Sequence, residues 1–302
     1  MGKKVIIIGG GVAGMQTAIT LSKLGISPVI IEREETIGGK LNRWDRLFPT
    51  MSPASEVLGS LREQVDASGA EILTSREVKE IGQEGKNVTL NDGTRLRSDA
   101  VVVTSGFDLF PAELKAEYGY KIYDNVNTKV NQRHCSRVCC ITGVKQAIEM
   151  KQAIPDAEVY SFYMDMRMFG PGYEELYRQA QQEFNIHFIR GRISEASQTI
   201  DNRVQIKAED TLIGLPLKMT VDMLVLIVGM KAGACNLQWS RCNGVDLYPS
   251  GFVKPKDQFT GSVDSGSPHI FYAGTITAPK NIGESINEAV AAAHRVAESL
   301  KE

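Results

Sequence analysis

Residues 131–140, NQRHCSRVCC, concentrate the side chains of this sequence best suited to redox chemistry. Cys135, Cys139 and Cys140 stand at C-x3-C-C spacing, directly ahead of a run over residues 143–153 that reads as an amphipathic helix. Thiols near a helix start gain from its dipole, which favours both metal ligation and thiol reactivity. Adjacent cysteines do not easily close an unstrained disulfide with each other, and C-x3-C differs from the C-x-x-C of dithiol oxidoreductases. A 4Fe–4S iron–sulfur cluster accepts irregular spacing of this kind, and Cys135, Cys139 and Cys140 are its candidate ligands. The plainer readings are buried structural thiols or a single catalytic thiol. Five cysteines is an odd count, with three crowded into one short stretch, so a secreted disulfide framework is a poor description. The four histidines show no pairing at metal-ligand spacing, and a zinc site is not expected.

A second chemistry is carried by glycine. Residues 3–8 form a β-branched run, and Gly9-Gly10-Gly11-Val12-Ala13-Gly14 follows without a break, ahead of a helical stretch over residues 15–24. Strand, G-x-G-x-x-G, helix is the context that separates a dinucleotide fingerprint from a chance match. Gly9 makes the tight turn, Gly11 lets the backbone approach a pyrophosphate, and Gly14 allows close helix–strand packing. The pyrophosphate then sits at the positive end of the helix. A second strand over residues 27–31 ends at Glu32, at the spacing expected for a ribose hydroxyl acceptor. Arg33 then leads to Gly38-Gly39-Lys40, a second glycine pair that lines FAD in flavoproteins with two dinucleotide-binding domains. Bare backbone lets the long cofactor pass close by, and Lys40 or Arg43 can meet its phosphates. A flexible turn is the alternative for Gly38-Gly39, but FAD is the cofactor expected here.

These groups need elements to hold them. Residues 52–68 read as a helix, and residues 71–75, 88–90 and 95–97 as short strands around the turn Asn91-Asp92-Gly93. Residues 99–106, DAVVVTSG, read as a buried strand that brings Gly106 back to the nucleotide end of a sheet. Past the cysteines, a strand over residues 158–164, a helix over 173–183 and a strand over 186–190 resume the alternation of a parallel-sheet domain. No second G-x-G-x-x-G follows that first strand, which runs instead into Asp165-Met166-Arg167-Met168-Phe169-Gly170-Pro171-Gly172, so direct NAD(P)H binding is not expected and the cysteines are left as the electron port. Residues 203–213 and 217–221 suggest a hairpin, and 222–229, DMLVLIVG, a central strand, with Cys235 just beyond it. The strand over 270–274 leads through Thr275 to residue 283 and a helix over 284–300, with Gly274 placed to close around an isoalloxazine. Most FAD enzymes carry Asp after that late glycine, to bond the ribityl chain, and this chain departs from them with Thr275. Lys280 lies in that loop with Asn281 and Ile282, and is a candidate catalytic residue that stabilises a reduced, anionic flavin; a solvated loop lysine is the alternative.

The whole chain sets bounds. At 302 residues it can bury a large core, with one or two closely packed domains. A formal charge of −2 gives no electrostatic footprint for nucleic acid. Apolar runs are strand-sized, far short of the roughly 20 residues of a membrane span. The start carries no signal-peptide pattern, so a cytoplasmic location is expected. The fold expected is α/β: a Rossmann-type FAD domain over residues 1–125 and 245–302, and a second α/β domain over 126–244 that carries the cysteine motif.

The sequence resembles the HdrA family, the flavin subunits of heterodisulfide reductase complexes. CSRVCC, VKQA and DAEVYSFYMDMRMFGPGYEELYRQAQ carry the resemblance most specifically. GGGVAGMQTA, GGKLNRWDRLFPT, FIRGR, DMLVLIVGM and AGTITAPKNIGESINEA extend it over almost the whole chain. The resemblance implies a thioredoxin-reductase-like core carrying FAD and a nearby 4Fe–4S cluster. It also implies a homodimer working inside a multi-subunit complex that handles disulfides or sulfur compounds. Departures matter. The ferredoxin-type C-x2-C-x2-C-x3-C-P runs of long members are missing, and nothing between Lys3 and His134 is cysteine. A fourth cluster ligand must then come from Cys235, the first choice, from Cys242, from His134 or from a partner. The compact form is similar to short members associated with sulfur-compound oxidation. Two other readings stay open: a self-contained pyridine-nucleotide disulfide oxidoreductase using Cys139 and Cys140, and a non-catalytic flavin-fold scaffold that docks partner subunits.

Overall fold

The computed structural model describes residues 2–112, 116–123, 126–127, 135–241 and 245–301. Its helices among these residues are α1 (Val12–Lys23), α2 (Ala54–Ser68), α3 (Cys139–Ala153), α4 (Tyr173–Gln182), the single turn α5 (Asn236–Trp239) and α6 (Ile282–Ser299). The chain divides into two compact units. One comprises Met1–Arg46, Pro53–Asp108 and Lys231–Glu302; the other comprises Leu47–Ser52 and Leu109–Met230.

The first unit is built on a five-stranded sheet whose strands, in chain order, are β1 (Lys4–Ile8), β2 (Ser27–Ile31), β3 (Glu71–Leu73), β4 (Ala100–Val103) and β5 (Ile270–Tyr272). Their spatial order is β5-β4-β1-β2-β3, and every neighbouring pair is parallel. A parallel sheet covered on both faces needs strands that are apolar throughout, which is what β1 and β4 supply. Val5, Ile6, Ile7 and all of Ala100–Val103 are fully buried. Period-two alternation divides the two faces. Ile6, Ile8, Val29, Ile31, Val101 and Val103 share one cluster with Val78, Ile81, Val88 and Leu90 of a small antiparallel sheet (Val78–Ile81, Asn87–Leu90, Arg95–Arg97). The other face is left to the helices, of which α1 packs against both α2 and α6. Each fully buried Val or Ile contributes roughly 1.5–3 kcal/mol. Because β1 lies between β2 and β4, the turn leaving it opens at the middle of the sheet.

The second unit holds α3 and α4 over one cluster, Ile141, Val144, Ile148, Met168, Leu176, Ala180 and Ile186. Tyr160–Tyr163 and His187–Arg190 pair in parallel, with α4 as their crossover. Ile193–Gln198, Val204–Asp210 and Leu215–Val221 form an antiparallel meander that buries Ala196, Val204 and Ile206.

Two sequence expectations change, and one strand is added. The central strand expected over residues 222–229 is only Leu224–Val225, paired with the equally short Val126–Asn127. Leu224, Leu226 and Val228 are buried at alternate positions, so the apolar pattern reports extended chain, but the ladder is two residues long. The helix expected from residue 143 starts at Cys139, which places two cysteines in its first turn. The strand Val78–Ile81 is not legible in the sequence, because its middle residues are charged and exposed and only Val78 and Ile81 face inward.

Candidate functional site

In the first unit the turn after β1 is shaped by missing Cβ atoms. A Cβ on Gly14 would lie 1.9 Å from Gly9 O, so the helix start and the strand end touch through backbone alone. Gly9 has φ +107, and a Cβ there would lie 2.8 Å from Thr104 O. Thr104 Oγ1 donates to Gly9 O at 2.8 Å and tightens the same turn. Gly11 caps α1 with extended backbone, and a Cβ there would meet nothing within 4 Å: the space in front of the helix is open. No side chain caps α1 and no acidic residue lies in its first turn, so its leading N–H groups face that space. An anionic pyrophosphate suits such a start.

The second glycine pair arrives beside the first. Gly38 N donates to Gly10 O at 2.7 Å, and a Cβ on Gly39 would lie 3.1 Å from Gly11 Cα. Glu32 is buried; its Oε2 accepts from Gly10 N at 2.7 Å and its Oε1 from Glu34 N at 3.0 Å. Two backbone donors fix the carboxylate at the end of β2 and leave lone pairs for a ligand hydroxyl. Arg33 is exposed and paired with Glu34. Lys40 is half-buried with its ammonium 4.7 Å from the centre of the Phe107 ring. Burial lowers its pKa, Arg33 and Arg43 push the same way, and Asp108 opposes them.

Gly106 and Thr275 meet at the end of β4, where a Cβ on Gly106 would lie 3.7 Å from Thr275 Oγ1. Cys235, at the start of α5, lies in the same neighbourhood: a Cβ on Gly233 would sit 3.2 Å from its Sγ and 3.5 Å from Gly106 O. Gly274 has φ +79 and packs on Ala13. Asn281 caps α6 in a capping box with Glu284, and Ile282 opens the helix. The Lys280 ammonium is held by Gly274 O at 3.1 Å, Thr277 Oγ1 at 2.5 Å and Glu288 at 3.2 Å. Gly9, Gly11, Gly14, Glu32, Gly38, Gly39, Lys40, Gly106, Gly274 and Thr275 thus line one end of one sheet. Sequence reasoning passes over Gly10, Thr104 and Glu288. Thr104, directly after an all-apolar strand, is a readable signal; Glu288, on a helix face eight residues past Lys280, is not.

In the second unit the cysteines gather at the start of α3, whose first two residues are Cys139 and Cys140. Cys135 is exposed, while Cys139 and Cys140 are half-buried in the first turn of α3. Arg137 N donates to Cys135 Sγ at 3.3 Å, and buried Ser136 anchors the segment by accepting from Met230 N at 2.9 Å. Cys140 Sγ lies 3.5 Å from Asp165 O. A hydrogen bond from Cys139 pulls the Cys140 thiol down to about 6, helped by the Arg167 N–H and guanidinium. The same bond, with burial and the nearby thiols, pushes Cys139 up. Three thiols suit an iron–sulfur cluster in kind. They do not fit it in arrangement: among the described residues no group of three or more His, Cys, Asp or Glu is placed to hold a metal ion. His134 and Cys242, two of the candidate fourth ligands, lie outside the described residues.

The family described as pyridine nucleotide-disulphide oxidoreductase matches residues 3–294. The chain is 28% identical over 420 aligned residues to the iron-sulfur A subunit of the CoB–CoM heterodisulfide reductase of Methanocaldococcus jannaschii, covering 97% of this chain and 64% of that one. It is 26% identical to the A subunit of the H(2)/formate:CoB-CoM heterodisulfide,ferredoxin reductase of Methanococcus maripaludis, covering 98% and 64%. The chain therefore spans a little under two thirds of these relatives, and alignments longer than the chain itself mean that they carry extra residues inside the matched region. Among solved structures, the thioredoxin reductase of T. acidophilum superposes with a TM-score of 0.74 at 18% identity, covering 99% of this chain and 100% of that one. The fold is that of the thioredoxin-reductase-like flavoproteins. Among the described residues no helix is long and apolar enough to cross a membrane.

Proposed function

Because the chain belongs to the pyridine nucleotide-disulphide oxidoreductase family, we propose that it is an FAD-binding electron-transfer component of a heterodisulfide-reductase-like complex acting on disulfide or sulfur compounds. Cys135, Cys139 and Cys140 serve it as ligands of a 4Fe–4S cluster that would draw them into a closer group than they form here, with the fourth ligand drawn from Cys235, Cys242, His134 or a partner chain. The FAD-binding domain is read as residues 1–125 with 245–302 and the second domain as 126–244. The assembly is a homodimer with further partner chains; the relatives' names, which make each of them one component of a larger reductase, support the partners.

One observation carries the reading. The first turn of α3 in the second unit presents thiols where the first turn of α1 in the first unit presents a glycine cradle. The first unit's residues fit FAD: Gly11 faces open space, Glu32 is fixed by two backbone donors, and Lys40, Arg33 and Arg43 gather positive charge beside it. FAD, when bound, exchanges electrons singly or in pairs. The chain's own part is to hold the pyrophosphate on the α1 start and the ribose on Glu32, with Gly106, Gly274 and Thr275 lining the far end. Disulfide or sulfur chemistry proper takes place on a partner.

The hydrogen bond between Cys139 and Cys140 favours a second reading, a self-contained NAD(P)H-dependent disulfide oxidoreductase. Anaerobic purification decides between them, with FAD, iron and sulfide measured per chain. One FAD with about four iron and four sulfide per chain is the expected result. FAD without iron after reconstitution, joined to rapid flavin reduction by NAD(P)H, overturns the cluster and installs the dithiol enzyme.

A further inference from the structure

A buried ion pair ties the loop between β5 and α6, through Lys280, to Glu288 in the body of α6, and flavin binding as described above leaves it without a role. Lys280 and Glu288 lie 3.2 Å apart, with side chains only 9% and 19% exposed. They close around a single residue. Glu288 Oε2 accepts from Gly274 N at 3.0 Å, and Lys280 Nζ donates to Gly274 O at 3.1 Å and to Thr277 Oγ1 at 2.5 Å. Gly274 is held at φ +79, and a Cβ there would lie 2.8 Å from Ala13 Cβ in the first turn of α1. The clasp therefore joins the end of β5, the first turn of the pyrophosphate helix and the body of α6.

Stability alone is a weak reason for such a pair, since apolar replacements of buried ion pairs are often neutral or better. Geometry is a stronger one. Charge-assisted hydrogen bonds on both sides of Gly274 fix the orientation of its backbone, and with it the path of the loop that follows. Burial pushes the Glu288 carboxyl up, and Lys280 with the Gly274 N–H works against that rise. The capping box Asn281–Glu284 secures the other end of the same loop.

We propose that Glu288 is a positioning residue for the flavin: through Lys280 and the Gly274 backbone it fixes residues 275–281 and the start of α6 against the cofactor. The proposal rests on the flavin reading and makes Lys280 the fixed positive end of the clasp rather than a solvated loop lysine. FAD titration of the apoprotein, followed by flavin fluorescence, tests it on the native chain, Glu288→Gln, Lys280→Met and their double variant, with thermal unfolding of each alongside. Each single variant raises the FAD Kd about ten- to a hundredfold, the worth of one charge-assisted hydrogen bond, and alters the visible band of bound flavin. The double variant, which leaves no unpaired charge and so keeps the fold testable, loses no more than the worse single variant, because the pair acts as a unit. Lys280→Arg, which keeps the ion pair, recovers most of the affinity. Lower unfolding temperatures with a native Kd and a native flavin band would make the clasp a stabilising pair only and overturn the proposal, as would additive losses in the double variant. A native chain that takes up no FAD removes the flavin reading itself, and is distinguished from variants that bind as the native chain does.

Discussion

Two helix starts, α1 and α3, are built alike and furnished differently. Each lacks a side-chain cap, and neither carries an acidic residue in its first turn. The contrast is with α6, which closes its own N-terminus with the Asn281–Glu284 capping box and so satisfies its first backbone donors from within the chain. At α1 the contacts offered to a ligand are backbone, and their condition is the absence of Cβ atoms at Gly9, Gly11 and Gly14. At α3 they are side chains, the thiols of Cys139 and Cys140 with Cys135 close by. A backbone cradle suits a long polyanionic cofactor that must lie against the chain; a thiol cradle suits a compact, soft, electron-rich group. The first is intolerant of any added carbon and the second is not.

That contrast breaks most visibly at Gly14. Gly14→Ala puts a Cβ against Gly9 O at a separation no carbon and oxygen can share, and neither atom belongs to a flexible side chain. The start of α1 must shift away from β1, at a cost of about 3 kcal/mol or more, the upper end of overpacking penalties. The expected outcome is a chain with a lowered urea midpoint and no stoichiometric FAD. Full flavin content at a native midpoint would mean that the cradle is not built on backbone contact.

A smaller effect is expected at Glu32, where the cradle borrows a side chain. Its two carboxylate oxygens accept from Gly10 N and Glu34 N in a buried site. In Glu32→Gln one acceptor becomes an NH2 group facing a backbone N–H, which costs about 1–3 kcal/mol for the unsatisfied donor. Denaturation of the apoprotein should show that loss, and FAD should bind about tenfold more weakly. An unchanged FAD affinity with lowered stability would assign Glu32 to the turn alone.

The glycine cradle is legible in the sequence because its constraints are local: strand, turn and helix lie within residues 4–23, and the acidic end of the next strand sits at a fixed distance along the chain. The parallel sheet follows from unbroken apolar runs in β1, β2 and β4. The second unit is harder to read. Its helix reads as starting at residue 143 because Cys139, Cys140 and Thr142 carry little helical periodicity, so the thiols look like a loop ahead of a helix rather than part of its first turn. A second fingerprint is naturally sought after Tyr160–Tyr163, whereas the thiols stand at the start of α3, earlier in the chain than that strand. The Lys280–Glu288 clasp is invisible for a different reason. It depends on α6 turning Glu288 back over Gly274, a contact that spacing alone does not reveal.

The mildest substitution sharpens the comparison most. Gly143 lies in the second turn of α3, three residues past Cys140, and a Cβ there would meet only Ile227 Cγ1, at an ordinary 3.6 Å. With no steric demand, this glycine only costs helix entropy, so Gly143→Ala should stabilise the chain by about 0.5–1 kcal/mol. Bound iron should be unchanged, because the thiols are untouched. The same chemical change, one added carbon on a helical glycine, then has opposite signs at the two helix starts: ruin at Gly14, slight gain at Gly143. Urea midpoints of the two apoproteins, measured side by side, read that sign directly. If Gly143→Ala were instead destabilising, α3 would also need close backbone approach near its start, and the second unit would be a glycine cradle with cysteines added rather than a thiol site in its place.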